Sequence, residues 1–339
     1  MSIHIAILLV SFAVILAGSE MFTNGVEWAG HHLSLSEAAV GSLLAAVGTA
    51  LPETLIPAVA LIMSHGVPGA HSEVGVGAIV GAPLMLSTIA LFVMGVAALG
   101  FRRRRGRIAL RVPPIDARRD LAFFLPVFIA TVPLGMANLP AAARYALGAI
   151  LLGVYASYAV VILKLRRSAE TQVEHGLHLE RVLRGNPFDP RGRSTVMQVL
   201  IGVVAILIGA YVFVDQIVFL SQHANLSPGV LSLILSPLAT ELPEKYNAVV
   251  WIRQSKDNLA LANITGAMVF QSCIPVALGL VFTPWHLSSA ELLGGAIAVF
   301  SAGLLYVNLR DGELGTPTLI VGGVAYAVFI AGLGWLGDL

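Results

Sequence analysis

The sequence predicts an all-α integral membrane protein of ten transmembrane helices, arranged as two inverted five-helix repeats. Three observations predict it: an extreme apolar composition, a succession of runs long enough to span a bilayer, and a self-match at an offset of 191 residues. With 57% hydrophobic residues, 12% charged residues and a mean hydropathy of +0.86, a chain of 339 residues is too apolar for a soluble fold. Membrane β-strands would alternate over about 10 residues, whereas these runs approach the roughly 20 that a spanning helix needs.

The predicted spans are 3–20, 37–62, 75–99, 121–136, 141–163, 196–220, 229–251, 259–282, 287–306 and 316–336. The first follows Met1-Ser2-Ile3-His4, lacks the basic region of a cleaved signal and is read as a retained helix. Basic residues fix the orientation. Arg102, Arg103, Arg104, Arg105, Arg107, Arg111, Arg118 and Arg119 fall between spans three and four, and Lys164, Arg166, Arg167, Arg181, Arg184, Arg191 and Arg193 between five and six. Both loops are expected in the cytoplasm, with Arg253, Lys256 and Arg310 on the same side and Arg144 opposite. Both termini then lie outside, and compact loops suggest a prokaryotic inner-membrane protein. The run Arg102–Arg105 reads as a topology signal with incidental lipid contact rather than a nucleic-acid site. Trp28, Trp251 and Trp285 fit an aromatic belt at span ends.

Sliding the chain by 191 residues pairs Gly18 with Gly209, Phe22 with Phe213, His32 with His223, Leu44 with Leu235, Thr49 with Thr240 and Leu51-Pro52-Glu53 with Leu242-Pro243-Glu244, without a gap over 36 positions. The chain is therefore divided into a first repeat (1–164), a cytoplasmic connector (165–195) and a second repeat (196–339). An odd number of spans per half inserts the second half in the opposite sense. That arrangement recurs in secondary transporters, with the substrate near the midplane between the repeats.

The duplicated segments, Gly48-Thr49-Ala50-Leu51-Pro52-Glu53 and Ala239-Thr240-Glu241-Leu242-Pro243-Glu244, each place a carboxylate inside an apolar run. A charge at the bilayer centre costs about 2.5–3.5 kcal/mol on insertion scales, so an intramembrane carboxylate is a functional-site candidate. Pro52 and Pro243 are expected to break or kink spans two and seven, freeing carbonyls. Those carbonyls, two threonine hydroxyls and two carboxylates form a hard oxygen set that suits Ca²⁺, with the two charges cancelled by Glu53 and Glu244. Thr and Glu four apart share one helical face.

These segments resemble the α-repeats of the sodium/calcium exchanger (cation/calcium antiporter) superfamily, whose signature is Gly-Thr-Ser-Leu-Pro-Glu. The resemblance implies an ion site built by spans two, three, seven and eight, sliding of spans one and six, and cation binding by Thr49, Glu53, Thr240 and Glu244. Two departures bear on coupling. The family's second element, Gly-Asn-x-x-Gly-Ser-Asn-x-Phe-Asn, reads here 77–86 with Pro83 and no polar side chain, and 262–271 with Asn263, Thr265 and Gln271 but Met268 where an Asn or Asp is usual. The signature serines are replaced by Ala50 and Glu241. Fewer monovalent sites follow, so coupling to protons or to fewer sodium ions is expected. Glu241, Lys245, Asn263 and Gln271 are accessory candidates. Lys245 either substitutes for one transported cation or, as favoured here, pairs with Glu241 four positions back.

The expected activity is antiport of Ca²⁺ against Na⁺ or H⁺ by alternating access. The ligands are inorganic cations, with membrane lipids around the chain, and no cofactor, nucleic acid or protein partner is inferred. A monovalent cation/proton antiporter is the alternative on the same fold. An intramembrane hydrolase is disfavoured because no His-Glu-x-x-His, Gly-x-Ser-x-Gly or paired-Asp motif occurs, and no phosphate-binding loop suggests ATP as the energy source. Asn24, Asp215, Glu20 and Glu27 are read either as pathway residues or as helix caps, and His31, His32 and His223 as interfacial residues. Cys273 reads as a small core residue.

Overall fold

The computed structural model describes residues 1–32, 45–65, 68–165, 176–183, 185–186 and 192–337; the side chains at 45–52, 114, 163 and 165 lie outside that description. The long helices are α1 (Ser2–His32), α2 (Ala45–Met63) and α3 (Ala70–Gly100). A four-residue helix α4 (Arg102–Arg105) and a short strand β1 (Leu110–Arg111) lead into α5 (Pro114–Leu134) and α6 (Ala141–Leu165). The described part of the connector forms α7 (His178–Val182). There follow α8 (Gly192–Ala224), α9 (Pro228–Thr240), α10 (Leu242–Arg253), α11 (Asp257–Phe282), α12 (Ser289–Asn308), strand β2 (Glu313–Leu314) and α13 (Thr316–Leu336). Among the described residues seven helices are long and apolar enough to cross a membrane: α1, α3, α6, α8, α11, α12 and α13. The chain is a multi-pass membrane protein.

Two of the seven form the centre. In α3 and α11, 78% and 72% of the apolar window is buried, against 17–44% in the other five, so these helices are enclosed by protein and the others face outward. Small residues let the central backbones approach. A Cβ on Gly77 would collide with the Gly229 carbonyl oxygen, and one on Gly81 with the Leu233 carbonyl oxygen and the Pro237 ring. Pro237 has no N–H to bond the Leu233 carbonyl four residues back, and Gly81 gives that carbonyl room. Helices α1 and α8 are joined by the same device at Gly18, Gly202 and Gly209.

On one face, three loops meet. Arg105, buried in spite of its place in a basic run, donates to both carboxylate oxygens of Asp257 at 2.8 and 2.7 Å, and Arg107 and the Arg111 backbone N–H add bonds of 2.9 Å each. Strand β1 pairs with β2 antiparallel, Leu110 opposite Leu314. The loops after α3, α10 and α12 are therefore on one side. Arg105 does more than mark topology: it holds the start of the central helix α11.

No break occurs at Pro52, through which helix α2 is continuous, whereas the chain does break before Pro243, with Glu241 at φ −92° and ψ 8° between α9 and α10. Pro243 lies in the first turn of α10, where its missing N–H costs nothing, while a single interior Pro at 52 is absorbed within a continuous helix. The aromatic belt also fails at Trp28 and Trp285, which are 4% and 1% exposed; Trp285 donates Nε1 to the Thr131 carbonyl at 3.0 Å. Cys273 is buried in the core, as its size suggests.

Candidate functional site

Helices α2, α9, α10 and α11 bring one cluster of charge into the protein interior. Glu53 on α2 is 4% exposed, Glu241 at the helix break 0%, Glu244 and Lys245 on α10 1% and 6%, and Gln271 on α11 0%. The charges of Glu244, Glu241 and Lys245 all act on the Glu53 carboxyl, and the Gln271 amide lies beside it. The Gln271 amide is the hydrogen-bonding group that faces the Glu53 carboxyl, and neither side chain makes a close bond to any other described residue. Buried polar groups are nearly always satisfied, so a carboxyl compensated this weakly is a candidate ligand-binding group.

Glu241 has one oxygen committed. Lys245 Nζ donates to Glu241 Oε2 at 2.8 Å across one helical turn, with side-chain exposures of 7% and 0%. Its other oxygen, Oε1, has no partner among the described residues. The favoured reading of Lys245 as the partner of Glu241 is what the structure contains.

Thr240 is buried, and its hydroxyl donates to the Ser236 carbonyl at 3.2 Å. The backbone of Thr49 lies in α2, one turn before Glu53, while its side chain falls outside the described residues. Asn263 lies two turns before Gln271 on α11, half-buried, with Nδ2 unpartnered among the described residues. The expected cluster is thus assembled around Glu53, Glu241, Glu244, Lys245 and Gln271, and no contact brings Asn263 to it among the described hydrogen bonds.

Ser232, Ser236 and Asp120 were not singled out beforehand. Ser232 and Ser236 precede the expected Thr240 at four-residue spacing and complete a buried hydroxyl row on α9. Ser232 donates to the Val74 carbonyl at 2.7 Å and contacts Ser236 Oγ at 2.8 Å, tying the row to α3. The four-residue spacing was the available signal. Asp120 on α5, 2% exposed, accepts from Thr265 Oγ1 at 2.8 Å and from the Tyr158 hydroxyl at 3.2 Å, anchoring α11 from outside the cluster. Asn24 is occupied structurally: its Oδ1 accepts from Gln198 Nε2 at 2.9 Å and from the His178 N–H at 3.2 Å, binding α7 to α1 and α8.

The buried carboxyls come from α2, α10 and the α9–α10 break, all within the two signature segments, and the central α11 supplies Gln271. The family described as sodium/calcium exchanger protein matches residues 3–164 and 194–335. The chain belongs to the sodium/calcium exchanger family. A protein of Alkalimonas amylolytica named as an antiporter, CaxA, is 24% identical over 325 residues, covering 95% of each chain. The inner membrane protein YrbG of Escherichia coli K12 is 25% identical over 312 residues, covering 88% of this chain and 87% of its own. Among solved structures, an H⁺/Ca²⁺ exchanger, CAX, superposes with a TM-score of 0.75 at 17% identity over 97% of this chain and 81% of that one. The sodium-calcium exchanger NCX_Mj gives 0.63 at 21% identity over 98% and 99%. These structural likenesses establish the fold. As a member of this exchanger family the chain is a cation transporter and not an enzyme.

Proposed function

We propose that the protein exchanges Ca²⁺ for Na⁺ or H⁺ across the inner membrane by alternating access, with Glu53 and Glu244 as the divalent ligands and Thr49 and Thr240 beside them. The observation that carries this reading is the Glu53 carboxylate, buried, faced among the described residues by the Gln271 amide alone as a hydrogen-bonding side chain, and under the field of Glu244 from the other half of the chain. Two carboxylates balance one Ca²⁺, and hard oxygen donors suit it. In this reading the ten spans form two inverted halves, 1–164 and 196–339, joined by the connector 165–195. The meeting of the three loops after α3, α10 and α12 on one face supports that topology, with both termini on the opposite, external side. The central position of α3 and α11, spans three and eight of the two halves, supports it as well.

Either coupling ion has a precedent, since one structural relative is named as an H⁺/Ca²⁺ exchanger and another as a sodium-calcium exchanger. The all-apolar stretch around Pro83 leaves few monovalent ligands on α3. Monovalent cation/proton antiport would be favoured by a free ammonium in the cluster; the pairing of Lys245 with Glu241 removes that argument.

The test is uptake of radiolabelled calcium into proteoliposomes loaded with Na⁺ or with acidic buffer, beside a Glu53→Gln/Glu244→Gln control. Uptake driven by either gradient and abolished in the control is expected. Absence of uptake under both gradients would overturn the calcium reading and leave monovalent antiport.

A further inference from the structure

A buried ion pair within a cation site needs a reason. Taking two charges out of water costs several kcal/mol per ion in general, and apolar residues of similar size usually do as well for stability. Inside a membrane protein such groups mark function. The Lys245–Glu241 pair is fully enclosed, spans one helical turn in the favourable order of Glu before Lys, and sits at the break between α9 and α10. It shares an electrostatic compartment with the transport ligands, because Glu241, Lys245 and Glu244 all act on Glu53. The remaining Glu241 oxygen, Oε1, is buried without a partner among the described residues.

The charge balance follows directly. Fully ionised, the three carboxyls of Glu53, Glu241 and Glu244 with no ammonium would give the compartment a charge of −3, for which one Ca²⁺ leaves a deficit of one. With Lys245 the compartment carries −2. We propose that Lys245 is a resident counter-ion: its ammonium permanently fills, against Glu241, the place of one monovalent cation, and so sets the number of cations the site exchanges. This rests on the cation-exchange reading above. It makes Glu241 and Lys245 specificity-determining residues, and it assigns to the pair a role that a merely structural helix staple would not have.

The sign of the effect separates the two roles. Cation affinity is measured as cation-dependent thermal stabilisation of the purified full-length protein in detergent, with Ca²⁺ and separately with Na⁺, for wild type, Lys245→Met, Glu241→Gln and the double variant. Glu241→Gln leaves an unneutralised ammonium beside Glu53 and Glu244 and is expected to weaken Ca²⁺ about tenfold or more, while Lys245→Met adds a net negative charge and strengthens cation binding. The double variant, neutral at both positions, is expected to return close to wild type.

Glu241→Gln binding as tightly as wild type, or a double variant as weak as Glu241→Gln, would overturn the proposal. Should Glu241→Gln not fold, Lys245→Met decides: tighter cation binding supports the counter-ion, and unchanged or weaker binding refutes it. A wild type that ignores Ca²⁺ but responds to Na⁺ would remove the calcium reading alone, since the opposite shifts of the two single variants are then read with Na⁺.

Discussion

Replacing Gly81 with Ala should separate the two helices that enclose the site. A Cβ at this position meets the Leu233 carbonyl oxygen and the Pro237 ring, so the obstacle is largely backbone, and no side-chain rotation relieves it. Overpacking costs about 1–3 kcal/mol, offset by the roughly 0.5–1 kcal/mol that Ala gains over Gly in a helix. Because the clash is with main chain, the net loss should be about 1–2 kcal/mol. The same substitution at Gly153, on the exposed face of α6 with nothing within 4 Å of the added carbon, should stabilise by about 0.5–1 kcal/mol. The two variants should therefore differ by about 1.5–3 kcal/mol in equilibrium unfolding from mixed micelles, and Gly81→Ala should also weaken cation-dependent stabilisation by displacing the hydroxyl row of α9 from α3. Equal stability of the two variants would refute the argument that close backbone approach of α3 and α9 is what requires glycine.

Other expectations follow from single contacts. Asp257→Ala strands the buried Arg105 guanidinium and should cost about 3–5 kcal/mol, whereas Glu313→Ala, whose partner Arg111 is 66% exposed, should cost less than about 1 kcal/mol in the same unfolding measurement. Asp120→Asn and Thr265→Val should be coupled by about 0.5–3 kcal/mol in a double-mutant cycle, since they share one 2.8 Å hydrogen bond; strict additivity would show that the bond contributes nothing. Glu53→Gln should abolish the upward shift of the thermal midpoint produced by Ca²⁺, and a persisting shift would place the divalent site elsewhere.

The membrane class and seven of the ten expected spans were legible because the bilayer imposes one strong constraint on composition, and apolar runs report it directly. The paired signature segments were legible because duplication repeats residue types at a fixed offset. Where the reading failed, the determining contact was tertiary. Trp28 and Trp285 look like interface anchors until the helices packed over them are known, and Arg105 is indistinguishable in sequence from Arg102, Arg103 and Arg104 until Asp257, 152 residues away, is found against it. The consequence of a proline depends on its place within the helix: Pro52 is passed through, and Pro243 opens a new helix.

By itself the sequence determined that the chain is a membrane protein and that it carries two copies of one signature segment, with Glu53 and Glu244 as the candidate carboxylates, because each of these is written in local residue types and their spacing. Only the tertiary structure decided that Lys245 is spent on Glu241, that Gln271 of α11 faces Glu53 of α2 in the interior, and that glycines on α3 admit the carbonyls of α9. The physical reason is that charge compensation and hydrogen-bond satisfaction are properties of groups brought together in a low-dielectric interior, and sequence adjacency does not reveal which groups those are.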